Sequence, residues 1–139
     1  MFAPPQVIQA EVWTRVPDSL RKSGQYSPWL EVHRRLGYGC FLEGPSFDRD
    51  GNFYCTDIPF GRIFRVTPQG QWDVIAEYDG EPNGLKIHKD GRFFIADHKR
   101  GLLILDPKTG KVEPFIENAN GEPFKGLNDL FFTAAGDIY

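Results

Sequence analysis

At 139 residues the chain has the length of one ordinary domain and enough material to bury a core. A formal net charge of −3 argues against a nucleic-acid or anionic-membrane partner, since neither is drawn to an acidic surface, and 15 glycines, 11 prolines and 14% aromatic residues describe a turn-rich fold rather than a helical one. No apolar run approaches a membrane span, and Met1-Phe2-Ala3-Pro4-Pro5 lacks a basic region leading into an apolar stretch, so the expected location is the cytoplasm.

In chain order, "VIQAEVWTRV" at residues 7–16 reads as a strand. Residues 17–40 are the least patterned part: Asp18 or Ser19 offers a helix N-cap, and a weak helical pattern runs from Leu30 to Leu36. This stretch reads as a connector rather than a lid, because short connectors outnumber lids. Cys40 and Cys55 have neither the number for a disulfide framework nor the spacing of a zinc site. Cys55 falls where strand alternation calls for an apolar side chain, which makes it a buried, inert thiol.

From residue 41 the chain repeats itself. Turn glycines recur at Gly51, Gly91 and Gly136, spaced 40 and 45 residues apart. "GPSFDRDGNFYCTD" lines up with "GLKIHKDGRFFIAD", and "GRIFRV" with "GLLILD" at the same offset. Each unit reads as four short strands, expected in the first at about 45–48, 53–56, 62–66 and 72–76, broken by "RDGN", "IPFG" and "TPQGQ". A four-stranded unit repeating every 40 to 45 residues is the mark of a β-propeller, so the fold expected is all-β. The blades fall at about 43–82 and 83–127 with a third begun at 128, which divides the chain into a segment 1–40 and an incomplete propeller domain 41–139.

Eight residues before its turn glycine each unit carries a polar, oxygen-bearing side chain: Glu43, Asn83 and Asn128. Innermost propeller strands run along the central channel, so matched positions at their starts converge on the axis. Carboxylate and amide oxygens meeting there suit a hard divalent cation such as Ca²⁺. The other reading is a polar channel lining whose members hydrogen-bond one another, backbone or water. Gly44-Pro45, Pro82-Asn83-Gly84 and Asn128-Asp129 set small or rigid residues beside each oxygen, which favours a held ligand.

The motifs Glu43-Gly44-Pro45, Pro82-Asn83-Gly84-Leu85 and Leu127-Asn128-Asp129-Leu130, in this order, resemble the opening blades of the regucalcin/gluconolactonase family across residues 41–139. The resemblance implies a six-bladed propeller of about twice this length or more, of which some two and a half blades are present. It implies one axial divalent metal ion, Ca²⁺ or alternatively Zn²⁺, Mn²⁺ or Mg²⁺. Glu43 and Asn128 would be metal ligands, Asn83 a channel-lining or substrate-facing residue, and Asp129 an orienting group beside the ligands. The implied activity is metal-dependent hydrolysis of a sugar lactone, a small-molecule partner. The remaining ligands and the catalytic base are expected beyond Tyr139. A chain stopping partway along a hairpin leaves a bare sheet edge, so the sequence is expected to be a piece of a longer protein, inactive by itself. The alternatives are a propeller that binds a metal or a partner without catalysis, and an inactive truncated product.

Other positions carry less. His88 lies near a turn and reads as solvated; His98 is a histidine without a visible partner in an inter-strand loop. Asp57 and Asp97 recur at strand ends, where carboxylates bond loop amides, a structural role. His98-Lys99-Arg100 reads as a solvated loop, and no phosphate loop, dinucleotide fingerprint or Gly-x-Ser-x-Gly motif occurs.

Overall fold

The computed structural model describes residues 4–139. Strands β1 (Leu42–Phe47), β2 (Phe53–Asp57), β3 (Arg62–Val66) and β4 (Trp72–Glu77) form one antiparallel sheet in sequence order. Strands β5 (Pro82–Ile87), β6 (Phe93–Asp97), β7 (Gly101–Leu105) and β8 (Val112–Ile116) form a second of the same topology. A short hairpin of β9 (Asn118–Ala119) and β10 (Glu122–Pro123) then leads to a third unit. There Phe131 and Tyr139 exchange both backbone hydrogen bonds, and Phe132 bridges Ile138. The architecture is that of a partial β-propeller. β1 starts at Leu42, earlier than the sequence pattern suggested, so Glu43 lies inside the ladder opposite Thr56.

The blades face each other across apolar seams. Tyr54 and Ile63 from the first sheet pack on Leu85, Phe93, Ile95 and Leu103 from the second, all nearly or wholly buried. Alternation sends Phe94, Ala96 and Leu102 to the opposite face, where they meet Leu130 of the third unit. Burial of this apolar surface is the main term holding blade to blade.

Residues 7–16 form no strand: Val7, Ile8 and Val12 are exposed, and the segment is in no sheet. The segment is instead attached at points, with Trp13 edge-on to Phe53 and Trp72 Nε1 donating to Thr14 Oγ1 at 3.0 Å. In residues 17–40, Asp18 sits within a 3-10 turn (Asp18–Leu20) that has no side-chain cap, and the α-helix α1 (Pro28–Val32) is shorter and earlier than the expected 30–36. The reason is tertiary. Leu30 is fully buried and Ser27 donates its hydroxyl to the Pro59 carbonyl at 2.7 Å, which seats α1 on the β2–β3 connector.

A second anchor lies beneath it. Arg62 gives Nε and Nη2 to Asp57 Oδ2, at 2.8 and 2.6 Å, and Nη1 to the Leu20 carbonyl at 2.7 Å. Both ends of this ion pair are buried, so removing one alone would strand a charge at a cost of about 3–5 kcal/mol. His88, expected in solvent, is largely enclosed: its ring lies edge-on to Phe94 and Phe132, with Asp90 2.8 Å from Nδ1. The third unit folds over it, which proximity to a turn did not reveal.

Two groups in the core give the fold an alkaline limit. Burial, then the Asp57 charge, pushes the Cys55 thiol from its ordinary 9.0 up to about 12. Burial, then the hydrogen bond to Asp48 (2.9 Å), pushes the Tyr54 phenol from 10.0 up to about 12. Each favours its protonated form in the folded state, so its contribution is complete below the unfolded value and is lost as pH rises toward 12. The urea midpoint should therefore be flat from neutral pH to about 9 and fall above it. In Tyr54→Phe the part of the decline above about pH 10 should shrink.

Candidate functional site at the inner strand starts

β1 and β5 are the first strands of their sheets and lie side by side in the fold. What lets them approach is glycine. An added β-carbon at Gly44 would lie 2.6 Å from both the Asn83 carbonyl oxygen and the Leu85 nitrogen, and Gly44 also holds φ +58°, where side chains are strained. At Gly84 the same atom would meet Asp129 Cα at 2.7 Å and the Asn128 carbonyl at 3.0 Å. Glu43-Gly44, Asn83-Gly84 and Asn128-Asp129 are therefore brought into a row by backbone contact. Hydroxyls of the first blade fix the second: Thr56 Oγ1 donates to Asn83 O at 2.8 Å and Ser46 Oγ to Leu85 O at 2.6 Å.

The amides of Asn83 and Asn128 meet directly, Nδ2 of the first donating to Oδ1 of the second at 2.7 Å. Glu43 is exposed and lines a shallow depression with Leu42, Pro45, Phe53 and Cys55. Its carboxylate is hydrogen-bonded to neither asparagine. Asp129 turns away from Asn128: Oδ1 accepts from its neighbour Leu130 N at 2.8 Å and from Lys86 Nζ at 3.0 Å. Lys86 had no signal in the sequence, since it occupies the repeat position of Ser46 and looks like one more solvated cation. His98 is exposed, its ring against Gly126 in the approach to the third unit.

The donor set is of one chemical kind: an anionic carboxylate and two amides, all oxygen ligands of the type a hard divalent cation takes. Among the described residues no group of three or more His, Cys, Asp or Glu side chains is placed to hold a metal. The row thus fits such an ion in donor type and supplies part of a shell of six to eight oxygens.

Antiparallel four-stranded units joined seam to seam, with their first strands abutting, define a β-propeller. A model of the SMP-30/gluconolactonase/LRE-like region matches residues 41–139, and the chain belongs to that family. It is 32% identical over 119 residues to the lactonase drp35 of Staphylococcus aureus (strain MRSA252), covering 81% of this chain and 35% of that one. To the lactonase drp35 of Staphylococcus epidermidis (strain ATCC 12228 / FDA PCI 1200) it is 31% identical over 120 residues, with the same coverage. The chain thus spans about a third of the length of these curated relatives. Among solved structures, the gluconolactonase XC5397 from Xanthomonas campestris superposes with a TM-score of 0.66 at 21% identity, over 71% of this chain and 34% of that one. A luciferin-regenerating enzyme superposes at 0.56 and 12% identity, over 69% of this chain and 35% of that one. These two likenesses concern the fold. No helix among the described residues is long and apolar enough to cross a membrane.

Because backbone stands where a β-carbon would go, alanine at either glycine should be costly. Gly44→Ala adds left-handed strain of about 1–2 kcal/mol to an overpacking cost of about 1–3 kcal/mol. Gly84→Ala, with no positive φ, should lose only the overpacking part. Urea unfolding of the two variants should rank them in that order.

Proposed function

We propose that the protein is part of a metal-dependent hydrolase that opens a sugar lactone, in the manner of a gluconolactonase. The observation that carries this reading is the row of Glu43, Asn83 and Asn128 at one repeat position, held together through Gly44 and Gly84. Membership of the family supports it, as do relatives named lactonase and a similarly folded protein named gluconolactonase.

In this reading Glu43 and Asn128 hold the divalent ion, Ca²⁺ or one of Zn²⁺, Mn²⁺ and Mg²⁺, with Asn83 facing the channel or substrate. A divalent ion held there supplies Lewis acidity for a lactone carbonyl and the charge developing on it. Glu43 contributes the negative charge that sets affinity on this side of the site. Asn83 orients the Asn128 amide through the hydrogen bond between them, and its own side-chain Oδ1 remains available to a hydroxylated ligand. Asp129, tied to Lys86, fixes the backbone that carries Asn128. Gly44 and Gly84 keep the row narrow, so that a small ring spans it.

Two measurements on the whole protein test this. Glucono-δ-lactone and a panel of five- and six-membered sugar lactones, followed by pH-stat, should be hydrolysed; the activity should vanish with a chelator and return with Ca²⁺, Zn²⁺ or Mn²⁺. Absence of metal-dependent turnover on every member would move the reading to a non-catalytic propeller. Calorimetric titration with Ca²⁺ should show Kd raised about tenfold or more in Glu43→Gln, with the fold kept. Asn128→Ala should lose both affinity and turnover, and Asn83→Ala less affinity than either. Wild-type affinity in Glu43→Gln would remove Glu43 from the site.

A further inference from the structure

We infer that Asp57 and Asp97 are positioning residues for this row of oxygens, each pinning the backbone just ahead of the polar side chain that its own blade contributes. The inference rests on the reading of Glu43 and Asn83 as members of the site. Asp57 Oδ1 accepts from the Phe41 N–H at 2.7 Å, two residues before Glu43. Asp97 Oδ2 accepts from the Glu81 N–H at 2.9 Å, two residues before Asn83. Both aspartates are fully buried, and each stands 14 residues after the side chain it would position.

Two features separate this arrangement from ordinary stitching of a sheet. The ladder fails where the site begins: the β1–β2 register shifts between Glu43 and Ser46, and the β5–β6 register between Pro82 and Gly84, around Asn83. A bulge leaves its residues less firmly paired: Asn83 has no partner in the β5–β6 ladder, and the pairing of Glu43 with Thr56 is the last before the break in β1, so both side chains sit at a weak point of the ladder. The aspartates add a hold just ahead of each, at Phe41 and Glu81.

The second feature is what the two clusters do not share. Asp57 is completed by Arg62 through its other oxygen. Asp97 is completed by the Lys99 and Arg100 N–H groups (both 2.8 Å) on Oδ1 and by the Tyr78 hydroxyl (2.9 Å) on Oδ2. The surroundings differ and the bond to the strand start is common.

Asparagine at either position tests the idea, because an amide offers one acceptor oxygen and turns its NH₂ toward donors on the other side. Asp97 has no buried guanidinium to strand, so its variant carries the test if Asp57→Asn fails to fold. In the whole protein, hydrogen–deuterium exchange at residues 41–44 should accelerate about tenfold or more in Asp57→Asn, and at 81–84 in Asp97→Asn. Ca²⁺ titration should show Kd raised about tenfold in each, the range for removing an outer partner of ligands. Tyr78→Phe deletes one bond to Asp97 and leaves the Glu81 bond; it should lower the thermal midpoint and leave Kd and exchange at 81–84 unchanged. Unchanged exchange at the strand starts in both aspartate variants overturns the inference. So does wild-type Kd in them while Glu43→Gln binds weakly, since the aspartates would then be structural only. Wild-type Kd in Glu43→Gln as well would instead remove the site reading, and this inference with it.

Discussion

Two neighbouring strand starts share a space that has no room for a β-carbon. Gly44 lies against the backbone of Asn83, Gly84 and Leu85, and Gly84 against that of Asn128 and Asp129. Asn83 and Asn128 meet because nothing intervenes between the main chains, with Glu43 at the matching position beside Gly44, and the seams outside can close only as far as this contact allows. Gly44 adds the left-handed turn that bulges β1 just after Glu43 and breaks the regular pairing with β2. The same glycine thus sets the spacing of the row and loosens the ladder that would have fixed it.

Equivalent positions in the two complete blades perform equivalent tasks with different chemistry. Ser46 and Lys86 share one repeat position, and each reaches into the next unit, the first to the Leu85 carbonyl and the second to the Asp129 carboxylate. Thr56 and Ala96 share another: the threonine bonds across the first seam, while the alanine packs in an apolar cluster with Leu130 across the second. Tyr54 and Phe94 likewise anchor successive seams, the tyrosine needing Asp48 for its hydroxyl. Geometry is repeated more strictly than residue type.

The fold was legible because its signals are local. Turn glycines, alternation within strands of five or six residues and a constant offset are all visible over a short window, and they sufficed for the propeller and for the matched positions of Glu43, Asn83 and Asn128. What escaped was set by contacts distant in sequence. Nothing near Arg62 announces that it bonds the carbonyl of Leu20, nor anything near His88 that Phe132 will cover it. The helix expected at 30–36 moved to Pro28–Val32 because Ser27 is claimed by Pro59. Asp57 and Asp97 were legible as carboxylates bonding loop amides, yet which amides, and their nearness to Glu43 and Asn83, required the bulges to be seen.

The bonds across the first seam run one way. Side-chain hydroxyls of the first blade donate to carbonyls of β5, an edge strand of the second sheet. In each bond the donor precedes its acceptor along the chain, by 39 residues for Ser46 and 27 for Thr56. The seam therefore has a polarity: the earlier blade carries the side chains that reach across, and the later one offers only main-chain oxygens.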